Sequence, residues 1–316
     1  MISPTVTSGF RGIFTPLITP IDLHEGIDLA SLRRLVDFQM RAGVHGLWAM
    51  GTSAEFASFS ADERAAAIEA VVETAAGRVP VIANVSDAST RVTIQHGRRA
   101  LRAGADGIAA TPPYYYPHSQ DELLVHYRAI QDAVDLPLFI YNIPQTVRVR
   151  LELRTAYQLA EEGTVSGIKD SQNDLEWFRQ LVVFTRQRRL AFWAFAGTRY
   201  LIDAAVLAGA GGAIPSLANA FPELCVQAYE FAIAGDFAGA ADVETRIIEI
   251  EQVAATAQGG SPNAAILGFL KTVLEARGVI ANSALTAPLR SLTMDEQREV
   301  RARLRVLHAL EEAAAT

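Results

Sequence analysis

The chain has little cysteine, no excess of positive charge and no long apolar run, and each shortage removes a class of protein. One cysteine, Cys225, in 316 residues leaves no intramolecular disulfide framework and suits a reducing compartment. It follows Pro222-Glu223-Leu224 in an apolar helical pattern and reads as buried filler, not as a nucleophile. Asp and Glu outnumber Lys and Arg, 35 to 28, so no basic stripe is available to meet nucleic-acid phosphates. No apolar stretch is long enough to span a bilayer. Met1-Ile2-Ser3-Pro4 opens without the basic and apolar regions of a secretory signal, so the expected location is cytoplasmic. The histidines, at 24, 45, 96, 118, 126 and 308, fall in no H-x-x-x-H or H-E-x-x-H spacing. A zinc site therefore has no support. A phosphate-binding G-x-x-x-x-G-K-[ST] loop is absent too, and the expectation is an enzyme without metal or cofactor.

What is present is repetition. A short β-rich run, a polar turn, an amphipathic helix and a glycine recur about every thirty residues, the length of one βα unit. The expected strands are Gly12–Phe14, Gly46–Met50, Val79–Val85, Gly107–Thr111, Pro137–Asn142, Val165–Lys169, Ala191–Ala196 and Gly212–Pro215. Ser60-x-x-Glu63 and Ser119-x-x-Glu122 are capping boxes, and Asp28, Thr90 and Thr198 suit simple N-caps. Leu29, Leu32, Leu35, Val36 and Met40 form one apolar helical stripe. Three helix ends share the pattern A-G-x-x-G, at 42–46, 103–107 and 208–212. The first Gly suits a left-handed helix end and the second opens the next strand. As a nucleotide fingerprint the last of these fails, because no helix opens directly after it.

Eight such units predict an α/β fold, a (β/α)8 TIM barrel with a C-terminal all-helical extension. The barrel, carrying the site, is expected over residues 1–220 and the extension over 221–316. Helices are expected there at Leu224–Ile233, Phe237–Thr256, Ala264–Arg277 and Met294–Glu312.

In such a barrel the strand C-termini converge on one face, where sites form. Strand two runs into Gly51-Thr52-Ser53-Ala54-Glu55, strand four into Thr111-Pro112-Pro113-Tyr114-Tyr115-Tyr116, and strand five ends in Tyr141-Asn142-Ile143-Pro144. Strand six ends in Gly167-Ile168-Lys169-Asp170-Ser171. A lysine in an apolar setting sheds its proton more readily, and a neutral amine attacks ketones. Lys169 at a strand end, a tyrosine one strand away and a Thr-Ser pair are the parts of a Schiff-base site. Plainer readings stand beside this one. Lys169 could reach solvent and pair with Asp170, and Tyr141 could fill the barrel. Thr52 and Ser53 could cap a turn, and Tyr115 could close the rim. Glu55 reads as a loop anchor, and Asp170 as a support or ion-pair partner. Arg186, Arg188 and Arg189, like Arg98, Arg99 and Arg102, read as solvated faces.

These residues give the chain a resemblance, over almost its whole length, to the family of dihydrodipicolinate synthase and N-acetylneuraminate lyase. It runs through Phe14-Thr15-Pro16, G-T-S-A-E at 51–55, Pro113-Tyr114-Tyr115, Y-N-I-P at 141–144 and G-I-K-D at 167–170. The resemblance implies a pyruvate-dependent class I aldolase in which Lys169 forms the imine and Tyr141 moves protons. It further implies that Thr52 and Ser53 hold the substrate carboxylate, that Tyr115 reaches a neighbouring subunit, and that the assembly is a homotetramer. Two departures stand out. Ala54 replaces the usual glycine, and Thr146 stands where dihydrodipicolinate synthases carry an arginine for the aldehyde's carboxylate. Arg148 is out of register to replace it. The leading expectation is thus a lyase or dehydratase acting on a 2-keto-3-deoxy sugar acid, or on pyruvate plus an aldehyde. The alternatives are dihydrodipicolinate synthase itself and, in another class, a non-catalytic sugar-acid sensor.

Overall fold

Runs of Val, Ile, Leu and Ala this short cannot bury themselves alone; side by side, with helices outside, they can. The computed structural model describes residues 9–310. Its strands are β1 Gly12–Pro16, β2 Gly46–Ala49, β3 Val81–Asn84, β4 Gly107–Ala110, β5 Leu138–Asn142, β6 Gly167–Asp170, β7 Trp193–Ala196 and β8 Gly212–Ala213. They pair in parallel in sequence order, and β8 closes on β1, giving the expected (β/α)8 barrel. The register puts Tyr141 of β5 beside Lys169 of β6, and Lys169 beside Phe195 of β7. From Phe195 downward the interior is filled by aromatic rings, with Phe14 against Phe195 at 5.1 Å and Phe10 against Phe139 at 5.1 Å. These rings pack the barrel interior, and the cavity lies at its C-terminal mouth.

The helices up to the last barrel strand are α1 Leu29–Arg41, α2 Ala61–Ala75, α3 Thr90–Arg102, α4 Gln120–Ala133, the single turn α5 Pro144–Val147, α6 Leu153–Glu161, α7 Leu175–Gln187 and α8 Ile202–Ala208. Asp28 caps α1, and both capping boxes form. Two expected caps do not. Ser89 caps α3 through Val92 N–H, while the Thr90 hydroxyl is engaged with His126 Nδ1 at 2.9 Å. No helix starts at Thr198. Helix α8 starts at Ile202, and the carboxylate of Glu244, from a distant helix, accepts the Ile202 N–H at 2.6 Å. The A-G-x-x-G glycines behave as expected: Gly43, Gly104 and Gly209 have φ of 81°, 83° and 101°.

After the barrel come α9 Pro222–Ile233, α10 Phe237–Glu251, α11 Pro262–Ala276 and α12 Met294–Val306. The run expected to be helical to Thr256 tightens into a 3-10 turn from Gln252. The run expected to reach Glu312 leaves the helix after Val306, and its last two residues lie outside the described ones. The tail is sewn to the barrel by polar contacts. Asn282 donates to the Ile21 carbonyl at 2.8 Å, and Arg34 to that of Val279 at 3.1 Å. Among the described residues no helix is long and apolar enough to cross a membrane.

Burial pushes the Glu244 carboxyl up to about 7. The folded state therefore holds this proton more tightly than the unfolded chain between about pH 4.5 and 7, and the associated stability is lost as pH rises through that window. Glu244→Gln keeps the acceptor for Ile202 and removes the titration. Urea midpoints at pH 5 and pH 8 should show the variant gaining on the wild type at the higher pH. An equal difference at both values would contradict the assignment.

Candidate active site

At the C-terminal mouth lies a cavity of about 590 Å³, and Lys169, Tyr141, Thr52 and Ser53 all line it. Lys169 is 4% exposed. Its Nζ lies 4.3 Å from the centre of the Tyr141 ring and 5.1 Å from the Trp48 ring. The plainer reading, a lysine reaching water and pairing with Asp170, is not what the fold holds. Successive strand residues face opposite ways. Asp170 points outward into the β6–α7 corner, where Asn142 Nδ2 donates to it at 2.6 Å. Burial pushes its carboxyl up to about 7. Among the described residues no carboxylate forms an ion pair with Lys169. The stem of Lys169 runs past Gly197, where a Cβ would lie 3.1 Å from Lys169 Cε and 2.0 Å from Ser171 Oγ. Gly197 is therefore a close-approach glycine beside the amine.

Tyr141 stands with its ring edge-on to Trp48, centroids 5.6 Å apart, and its hydroxyl 3.1 Å from Thr52 Oγ1. Thr52 and Ser53 belong to a 3-10 turn, Thr52–Ala54, directly after β2. Ala54 sits inside that turn, and the left-handed residue of the loop is its neighbour Glu55, at φ 58°. A β-carbon at 54 is thereby accommodated, and Glu55 needs holding. It is held: Thr286 donates to one oxygen from both its N–H and its hydroxyl, each at 2.8 Å. Lys271 Nζ lies 2.6 Å from the other. Glu55 is an anchor, as the sequence suggested, but both its partners come from the helical tail.

Tyr115 is not brought to this cavity. It is 85% exposed, stacked edge-on against Tyr116, with φ of 95° in the region that disfavours L side chains. Its neighbour Tyr114 lines the cavity instead, half-buried, with its phenol pKa raised by burial. Thr146 lines the cavity, whereas Arg148 caps the end of α5, is exposed and does not.

Sequence reasoning missed Trp48, Arg199 and Lys271. For Lys271 a signal existed: of the 28 basic residues only two are lysines, at 169 and 271. A chain that uses arginine everywhere else keeps lysine where a compact ammonium or a titratable amine is required. Both lysines are buried. They differ in surroundings: Lys271 has a carboxylate and the Ala284 carbonyl at 2.8 Å, while Lys169 has two aromatic rings and open cavity. Among the described residues no cluster of His, Cys, Asp or Glu could hold a metal ion.

The model of the dihydrodipicolinate synthetase family matches residues 9–307. A protein of Halobacterium salinarum named as an uncharacterized DapA-like lyase is 34% identical over 296 residues, covering 94% of this chain and 93% of its own. A 4-hydroxy-tetrahydrodipicolinate synthase of Acidiphilium cryptum is 34% identical over 263 residues, 82% of this chain and 89% of that one. The crystal structure of YagE from E. coli K12, a dihydrodipicolinic acid synthase family member in complex with pyruvate, superimposes with a TM-score of 0.88 at 26% identity, covering 95% of this chain and 99% of that one.

Proposed function

The chain belongs to the dihydrodipicolinate synthetase family, and from that premise we propose that it is a class I, Schiff-base-forming lyase acting on a 2-oxo acid. The observation that carries this is Lys169: an amine almost removed from water, opening into a cavity, paired with no carboxylate among the described residues and with the Tyr141 ring beside it. The amine attacks the C2 carbonyl, and loss of water leaves an imine. The protonated imine accepts the electron pair released when the bond to C4 breaks, or supplies the enamine for the reverse step or for loss of a β-hydroxyl. Tyr141 gives and takes the proton, with Thr52 hydrogen-bonded to its hydroxyl. Thr52 and Ser53 offer hydroxyls and turn N–H groups to the substrate carboxylate. Tyr115, exposed and left-handed, is the residue we assign to a neighbouring copy's cavity in a tetramer.

The substrate class we favour is a 2-keto-3-deoxy sugar acid, because Thr146 removes the arginine that grips the aldehyde's carboxylate in dihydrodipicolinate synthases. Condensation of pyruvate with aspartate semialdehyde is the second reading, favoured by relatives such as the Acidiphilium synthase. Borohydride reduction with pyruvate, followed by peptide mapping, tests the imine. With two lysines in the chain the map has few possible answers. An adduct on Lys169 is expected; none, or one on Lys271, ends the proposal and favours a non-catalytic sensor. Tyr141→Phe should lower kcat about 10²- to 10⁴-fold with Lys169 still trapped, since the phenol shuttles protons but does not form the imine.

A further inference from the structure

The cavity carries a second cation that the imine chemistry leaves unused. Arg199, in the loop between β7 and α8, lines the same cavity as Lys169. One residue, Thr198, separates it from Gly197, which touches the Lys169 stem, so its backbone lies within roughly 7 Å of that glycine. Its side chain is 46% exposed, and its one ion-pair contact among the described residues is a long one, 3.4 Å from Nη1 to Glu251. A guanidinium has five N–H donors in a planar fork, so most of them remain free. Among the described residues the only acid lining the cavity is Glu55, which is already held by Lys271 and Thr286. The start of α11, at Pro262 and Asn263, lines the cavity as well and presents the positive end of a fifteen-residue helix.

Resting on the imine reading of Lys169, we infer that Arg199 is a second anion-binding point of this cavity, receiving a carboxylate at the far end of the substrate. Within the favoured 2-keto-3-deoxy sugar acids, the class narrows to those that carry a second carboxylate at the end far from C2. Arg199 follows β7, two strands round the barrel from Thr146, so the carboxylate it receives lies at a different place from the one whose grip is lost at Thr146. Burial raises the Glu251 carboxyl, while Tyr200 and Arg199 itself pull it back down. Glu251 lies wholly beneath the surface and does not line the cavity, so an incoming carboxylate meets the arginine and not the acid.

Two six-carbon probes isolate the point: 2-oxoadipate, with a terminal carboxylate, and 2-oxohexanoate, without one. Calorimetric titration of the wild type should show the diacid bound at least about tenfold more tightly, as a charge-assisted bidentate pair allows. Arg199→Gln should abolish that ratio, and Arg199→Lys should keep part of it. Equal or undetectable binding of both probes to the wild type, or an unchanged ratio in Arg199→Gln, overturns the inference. Borohydride trapping of the same probes separates it from its premise. A diacid preference without an adduct on Lys169 removes the imine and leaves the arginine's role standing. An adduct on Lys169 without a preference does the reverse.

Discussion

Lys169→Arg should lose at least about 10⁴-fold in kcat/KM, roughly 5.5 kcal/mol of transition-state stabilisation. Arginine is the stringent substitution here. It keeps a cation beside the Trp48 and Tyr141 rings, 5.1 and 4.3 Å from the present nitrogen, and so retains much of the packing and all of the charge. What it cannot do is lose its proton, so it cannot attack a ketone. If Lys169 served only electrostatically, the arginine variant would keep a large share of activity. Steady-state assays of wild type and variant, on whichever 2-oxo acid a substrate panel identifies, decide between the two. The variant should also fail to retain label from pyruvate and borohydride. Retained turnover would remove the nucleophile from the proposed mechanism, whatever else binds in the cavity.

The second large effect is on stability and comes from the other lysine. Lys271→Met should cost about 3–5 kcal/mol, because it leaves the Glu55 carboxylate without its cation in a place water does not reach. Burial lowers the Lys271 pKa, while Glu55 pulls it back up, the signature of a pair that holds together only as a pair. The double variant Lys271→Met/Glu55→Gln should recover most of the loss, since neither buried charge is then stranded. Urea unfolding of the wild type, both single variants and the double variant completes the cycle. A single-variant loss below about 1 kcal/mol would mean that Glu55 finds solvent once its partner goes. The pair also reaches the chemistry. Glu55 is the left-handed residue two places after Ser53, so freeing it loosens the turn that presents Thr52 and Ser53. KM for the 2-oxo acid should therefore rise even in molecules that remain folded.

These two lysines also show how far the one-dimensional pattern carried. Lys169 was found because it closes a run of strand residues and sits one strand from Tyr141, and both facts are local. Lys271 was not found, because its reason for being a lysine lies 216 positions away in sequence, at Glu55. The start of α8 is hidden from the sequence for the same reason, whereas at α3 the cap is local and falls one residue earlier, on Ser89. An N-cap is a local motif only when the partner is local, and Ile202 takes its cap from Glu244 of α10. Tyr115 and Tyr114 could not be separated by spacing at all. The tertiary structure turns Tyr114 inward and leaves Tyr115 exposed, with φ 95° at Tyr115.

The amino-acid pattern alone determined the barrel, its strand order and the strand ends that meet at its mouth. Hydrophobic period, caps and helix-ending glycines are short-range properties, and eight βα units have few ways to close. The tertiary structure decided which polar groups face the cavity and which hold each other. It set Arg199 in the cavity lining and Arg148 outside it, and it tied the tail to the loop that carries Thr52 and Ser53. Such pairings depend on where distant segments come to rest, and electrostatic energy in a buried setting depends on distance in space, not on separation along the chain.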